Sequence, residues 1–131
     1  MNNREIDALV AEKVMGWSQV YINDYPIANA PEYLYPPSDF APEEPEIVPH
    51  YSIDISAAWQ VVEKMIDNES LDFPDFKLEN YGFWRALFFD AVQNREHGMD
   101  EAMTAPMAIC LAALKAKGIE IELDADYGGH A

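Results

Sequence analysis

The chain has 131 residues and a mass of 14.8 kDa, room for one domain. Half of the residues are apolar and 12% are aromatic, which excludes wholesale disorder. Its 24 acidic and 8 basic residues give a formal net charge of −16, which argues against direct nonspecific binding to nucleic acid or an anionic membrane, since both need positive charge on the protein.

Residues 4–15 read as a helix, with Ile6, Leu9, Val10 and Val14 at helical spacing. Asn3 is the expected N-cap, and Glu5 and Asp7 fall in the first turn, where the helix dipole favours negative charge. Gly16 is the expected left-handed stop, and Trp17 should fold back onto the apolar face. Residues 17–22 suit a short strand.

Residues 23–51 form an insert of unusual composition. Seven of the nine prolines and five of the seven tyrosines lie between Tyr21 and Tyr51, and no Lys or Arg occurs from Val14 through Glu63. Prolines this dense break helices and cannot sit in central strands, so an extended, partly polyproline-like surface segment is expected. Tyrosine brings apolar area that a free linker would not carry, which favours docking over a loose acidic loop.

Residues 54–68 read as a second helix capped by Ser52 or Asp54, with an apolar stripe of Ile55, Ala58, Trp59, Val62, Met65 and Ile66. Phe76–Tyr81 and Phe83–Val92 alternate as two strands around Gly82, with helix as the alternative for the second run. Asn94–Gly98 reads as a turn. A third helix, 104–117, is apolar almost all round and so expected to be buried, with Thr104 as cap, Pro106 in its first turn and Gly118 as its stop. Ile119–Leu123 alternates as a last strand, and the tail 124–131 is acidic and expected to fray.

The expected fold is therefore one domain of α/β (α+β) class. It is a layered alpha-beta-alpha sandwich with a mostly antiparallel sheet, three helices and the insert at about 23–51. The expected core holds Ile6, Leu9, Val10, Trp17, Trp59, Val62, Ile66, Trp84, Ile109 and Leu114. No apolar run approaches the ~20 residues that span a bilayer. The N-terminus is too polar for a signal peptide, and the lone Cys110 cannot form an internal disulfide. These features predict a soluble protein of a reducing cytoplasm.

Chemistry-bearing patterns are scarce. There is no phosphate-binding glycine loop, no HExxH and no Cys/His metal spacing, so neither a cofactor nor a metal is expected. His50, His97 and His130 lie in the insert, a turn and the tail, without local partners, and read as solvated. Cys110 reads as a small core residue rather than a nucleophile. Close carboxylate pairs such as Asp124 and Asp126 are expected by chance among 24 acids. No catalytic residue is assigned. The strongest candidate surface is the insert, where Tyr25, Tyr33, Tyr35 and Phe40 alternate with Glu43, Glu44 and Glu46, with Tyr21 and Tyr51 at its borders. Rigid tyrosines among acids suit a basic protein partner. The competing reading is a strap that only covers the sheet edge or the core.

Three stretches, NREIDALVAEKVMGW, PHYSIDISAAWQVVEKM and TAPMAICLAALKAKGIEIE, resemble the phage ABA sandwich domain family of small phage and prophage proteins. The insert and the acidic tail depart from that pattern. The resemblance implies a layered α/β sandwich and a bacterial host cytoplasm, and brings no catalytic residues with it. The expected function is that of a noncatalytic phage or prophage protein engaging a host or phage protein, for example as an acidic inhibitor of a host nucleic-acid-binding or defence protein. The chain would be a monomer or small homo-oligomer. The alternative is an oligomeric nucleotide or small-molecule binder, with Trp84, Phe88 and Tyr81 lining a pocket between subunits and Arg85 and Arg95 meeting phosphate. An enzyme using paired acids or a histidine ranks last.

Overall fold

The computed structural model describes residues 2–18, 21–22, 25–26, 33–37, 45–66 and 75–121. The first helix, α1 (Asn3–Lys13), starts one residue earlier than expected. Asn2 is extended and accepts the Glu5 N–H at 2.9 Å, so Asn2 rather than Asn3 is the cap. After Val14 the chain turns through Gly16, whose φ of +82° suits a residue without a Cβ, and the Trp17 N–H donates to the Ala11 carbonyl at 2.8 Å.

Two short antiparallel ribbons follow. β1 (Tyr21–Ile22) pairs with β2 (Tyr25–Pro26), and β3 (Tyr33–Leu34) pairs with β4 (Glu46–Ile47). Within the expected strand 17–22 the described residues form β1 and an isolated bridge between Ser18 and Tyr35, and residues 19–20 lie outside them. The second helix, α2 (Ile55–Met65), is capped by Asp54, which accepts the Ser56 N–H at 2.9 Å. It ends at Met65, shorter than the expected 54–68.

β5 (Asp75–Asn80), β6 (Trp84–Asp90) and β7 (Arg95–Ala102) form an antiparallel sheet in that order. The expected hairpin is present, with Phe76 opposite Phe88 and Asn80 opposite Trp84. Gly82 turns it at φ +84°. The expected turn at 94–98 is instead the start of β7. Asp90 Oδ1 accepts the Val92 and Gln93 N–H groups at 3.0 and 3.1 Å, and Asn94 takes a positive φ of 55°. The turn therefore closes by Asn94 and leaves Gly98 inside a strand.

The third helix, α3 (Ala105–Ala116), is buried at every position from Met107 through Leu114. Thr104 occupies the cap position without a side-chain bond to it. α3 packs on β6 and β7, and α2 and α1 pack on α3. Helices and sheet together make an α+β sandwich-like fold. Gly98 is a point of close approach between β7 and α3. A Cβ there would lie 2.5 Å from the Ala112 carbonyl oxygen and 2.5 Å from the Ala116 nitrogen. Ile119–Ile121 pairs with no strand among the described residues; the Ile119 N–H returns to the Leu114 carbonyl at 2.9 Å.

The core differs from expectation in one large residue. Ile6, Val10, Val62, Ile109 and Leu114 are fully buried, and Leu9, Trp17, Ile66 and Trp84 pack against them half-buried. Trp59 is 46% exposed. α2 turns Ala57, Ala58, Val61, Val62 and Met65 inward, a stripe rotated away from Ile55 and Trp59. Among the described residues the Trp59 ring meets Phe76 edge-on, at 5.9 Å and 82°, and Phe76 in turn lies 4.9 Å from Phe88. Each such pair adds about 0.5–1.5 kcal/mol beyond the buried area.

Candidate functional site

The strap is an amphipathic ribbon where it is described. Tyr33 and Ile47 are directly opposed across β3 and β4, so they share a face, and both point outward at 44% and 59% exposure. Leu34 and Val48, the next residue on each side, are buried. Glu46 is exposed beside Ile47. Tyr35 is half-buried and exchanges both backbone hydrogen bonds with Ser18 at 2.9 Å. Tyr25 lies in β2 opposite Ile22. Phe40, Glu43 and Glu44, like the tail 124–131, lie outside the described residues. Tyr33 shares its face with Ile47, whereas Glu46 stands opposite Leu34 on the other face of the ribbon and is exposed there. Tyr51, grouped with the surface tyrosines by sequence, is 1% exposed and belongs to the core.

The base of the strap is held by a buried polar cluster that sequence reasoning missed. The Asp7 side chain is fully buried. Its Oδ2 pairs with the Arg4 guanidinium at 2.8 Å, and its Oδ1 accepts the Ser52 N–H at 2.7 Å. Arg4 also donates to the Val48 carbonyl at 2.8 Å and lies 3.1 Å from His50 Nδ1. Ser52 Oγ donates to the Asn3 carbonyl at 3.3 Å, which is why Ser52 does not cap α2. The insert contains no cation of its own, so α1 supplies one from outside. The signal was present in the sequence: Asp7 recurs with Val10, Ala11 and Val14 at helical spacing, an acid on the apolar stripe rather than a first-turn ornament.

Tyr51 and Cys110 flank this cluster. Burial, with the Cys110 thiol and the Asp7 carboxylate nearby, pushes the Tyr51 phenol up to about 12, partly offset by a hydrogen bond from Trp17. Burial, then Asp7, pushes the Cys110 thiol well up. A thiol held protonated inside the core is no nucleophile.

The sheet face turned away from α3 carries a second cluster. Arg85 bonds Glu101 at 2.9 and 3.1 Å and stacks 5.2 Å from the Tyr81 ring and 6.0 Å from Phe83. Tyr81 donates to Glu79, which holds the Glu79 carboxyl down and the phenol up. These shifts keep carboxylate ionised and phenol protonated, which does not poise an acid–base pair near neutral pH. Trp84, Phe88 and Tyr81, expected to line a pocket between subunits, do not share one surface of the chain. Trp84 and Phe88 point into the α3 face, while Tyr81 lies at the exposed turn. Phosphate would also have to displace Glu101 from Arg85. A separate cleft of about 210 Å³ lies between Asp100, Leu111, Lys115 and Ile119–Ile121. His97, expected in a turn, is half-buried in β7. Among the described residues no group of His, Cys, Asp and Glu could hold a metal ion, and no helix is long and apolar enough to cross a membrane.

A family model described as the Phage ABA sandwich domain matches residues 8–114. A crystal structure at 2.0 Å of a phage protein from Bacillus cereus is similar at 30% identity, over 93% of each chain, with a TM-score of 0.64. No curated protein matches significantly.

Proposed function

From the premise that the chain belongs to the Phage ABA sandwich domain family, we propose that it is a noncatalytic phage or prophage binding protein whose strap engages a basic protein partner in the host cytoplasm. The observation that carries this reading is the exposed Tyr33–Ile47 pair beside Glu46, on a ribbon anchored from behind by Leu34 and Val48. An exposed apolar pair held on a hydrogen-bonded ribbon suits docking, because its backbone has little conformational freedom left to lose. The charge of −16 would draw a basic partner in quickly. A host nucleic-acid-binding or defence protein, whose groove is shaped for phosphate, fits this chemistry best.

The test is retention of host proteins on the immobilised full chain at low and moderate salt, beside Tyr33→Ala and Glu46→Lys variants. The expected result is one basic protein that releases as salt rises and is lost with either substitution. Retention indifferent to salt and to both substitutions would refute the reading, as would no retention at all.

A further inference from the structure

Arg4 holds the foot of the strap through more than one bond. Its Nη2 donates to the Val48 carbonyl at 2.8 Å. Its Nη1 donates to Asp7 Oδ2 at 2.8 Å and faces His50 Nδ1 at 3.1 Å, with the Pro49 carbonyl farther off at 3.5 Å. A guanidinium has no lone pair to offer, so at this contact the imidazole is the acceptor. The contact therefore requires a neutral ring, with Nδ1 bare and the proton on Nε2.

The ring sits at a joint. The His50 carbonyl accepts the Ile53 and Asp54 N–H groups at 3.2 and 2.9 Å, so residue 50 begins the turn that leads into α2. Upstream, Val48 is buried, while Glu46 and Ile47 are exposed on β4. His50 is itself exposed, so solvent can supply a proton. Once Nδ1 carries it, donor faces donor and cation faces cation across the Arg4 contact.

The neighbouring charges do not restore the contact. On α1, Asp7 offsets the guanidinium charge, but its Oδ2 is taken by the same Nη1 and its Oδ1 by the Ser52 N–H. At the start of α2, Asp54 Oδ1 accepts the Ser56 N–H at 2.9 Å. Deeper in, the Cys110 thiol of α3 and the Tyr51 phenol are held protonated by burial and bring no charge. On β4, Glu46 lies beyond the buried Val48.

We propose that His50 is a proton-operated latch on the strap: neutral, it closes the foot onto Arg4, and protonated, it releases it. The closed foot excludes the proton and the open foot takes it up. Closure is therefore complete above the range in which histidine gains its charge, and is lost as pH falls through that range. As a control on partner binding the latch rests on the strap reading above, but it is tested without a partner.

Amide exchange at Ser52 in the full chain tests this, read as protection relative to the unstructured rate. The comparison is between about pH 8 and about pH 5.5, a span that brackets histidine ionisation and stays above that of carboxylates. The wild-type protein should lose protection by about tenfold at the lower pH, as expected when one charge-assisted hydrogen bond is lost. His50→Gln offers Arg4 an amide oxygen that does not titrate, so its protection should be the same at both values. Both proteins carry His97 and His130, so titration of those two cancels in the comparison. Nitrogen NMR shifts of the His50 ring at about pH 8, assigned by their loss in His50→Gln, should place the proton on Nε2. Wild-type protection that ignores acid overturns the proposal. So does an equal loss in His50→Gln, or a proton on Nδ1 at the higher pH. No partner enters these measurements, so their failure leaves the strap reading to its own retention experiment.

Discussion

Removing the Asp7 carboxylate should loosen the root of the strap and the whole fold together. Asp7→Asn keeps an acceptor for the Ser52 N–H but turns an amide donor towards Arg4. Arg4 keeps Val48 as acceptor and is 19% exposed, so only a charge-assisted bond is lost, about 2 kcal/mol. Asp7→Ala also orphans the buried Ser52 N–H, which raises the cost to about 3–4 kcal/mol. Arg4→Met leaves a fully buried carboxylate with Ser52 alone and should cost about 3–5 kcal/mol. Combining Arg4→Met with Asp7→Asn removes the stranded charge, so the double variant should be more stable than Arg4→Met alone. Urea unfolding of the four proteins measures the cycle, and amide exchange at Ser52 reports the local opening. If the two substitutions simply add, Arg4 and Asp7 are not acting as a buried pair and the reasoning fails.

Two further outcomes follow from packing and burial. Gly98→Ala forces a methyl against the backbone of α3, which has no flexible end to yield. It should cost about 2–3 kcal/mol in urea unfolding, and a neutral result would mean that β7 and α3 can separate freely. Tyr51 has its folded value raised to about 12 from 10, so its contribution is complete below pH 10. It is lost as pH rises from 10 to 12, because the unfolded chain ionises first. The loss reaches about 2–3 kcal/mol. Cys110 shifts in the same direction, so the comparison is with Tyr51→Phe, whose alkaline slope should be shallower; an equal slope would refute the assignment.

The elements that were legible in the sequence are those whose pattern is local. α3 is apolar all round, the β5–β6 alternation is regular, and Gly16 and Gly82 sit where their backbone requires them. What was not legible depends on which side a neighbour occupies. Periodicity places Ile55 and Trp59 with Ala58 and Val62 in one stripe, but the position of α3 rotates the buried arc towards Ala57 and Val61. Gly98 looks like a turn residue because glycine serves both turns and close packing, and only the approach of α3 distinguishes the two. The alternation of Ile119–Leu123 suggests a strand, yet Ile119 bonds back to Leu114. For the candidate surface, composition singled out the strap, while the pairing of Tyr33 with Ile47 required the register of β3 and β4.

The Arg4–Asp7–Ser52 anchorage divides the strap into residues with unequal freedom to diversify. Val48, Tyr51 and Ser52 answer to α1 and the interior, so a change there alters the stability of the molecule. Tyr33, Glu46 and Ile47 answer mainly to solvent. Lineages could therefore exchange the outward residues to follow a changing target while the foot of the strap stays constant. Such turnover would leave a recognisable trace: variation concentrated on the outward side of β3 and β4, and joint change of positions 4 and 7 whenever either moves.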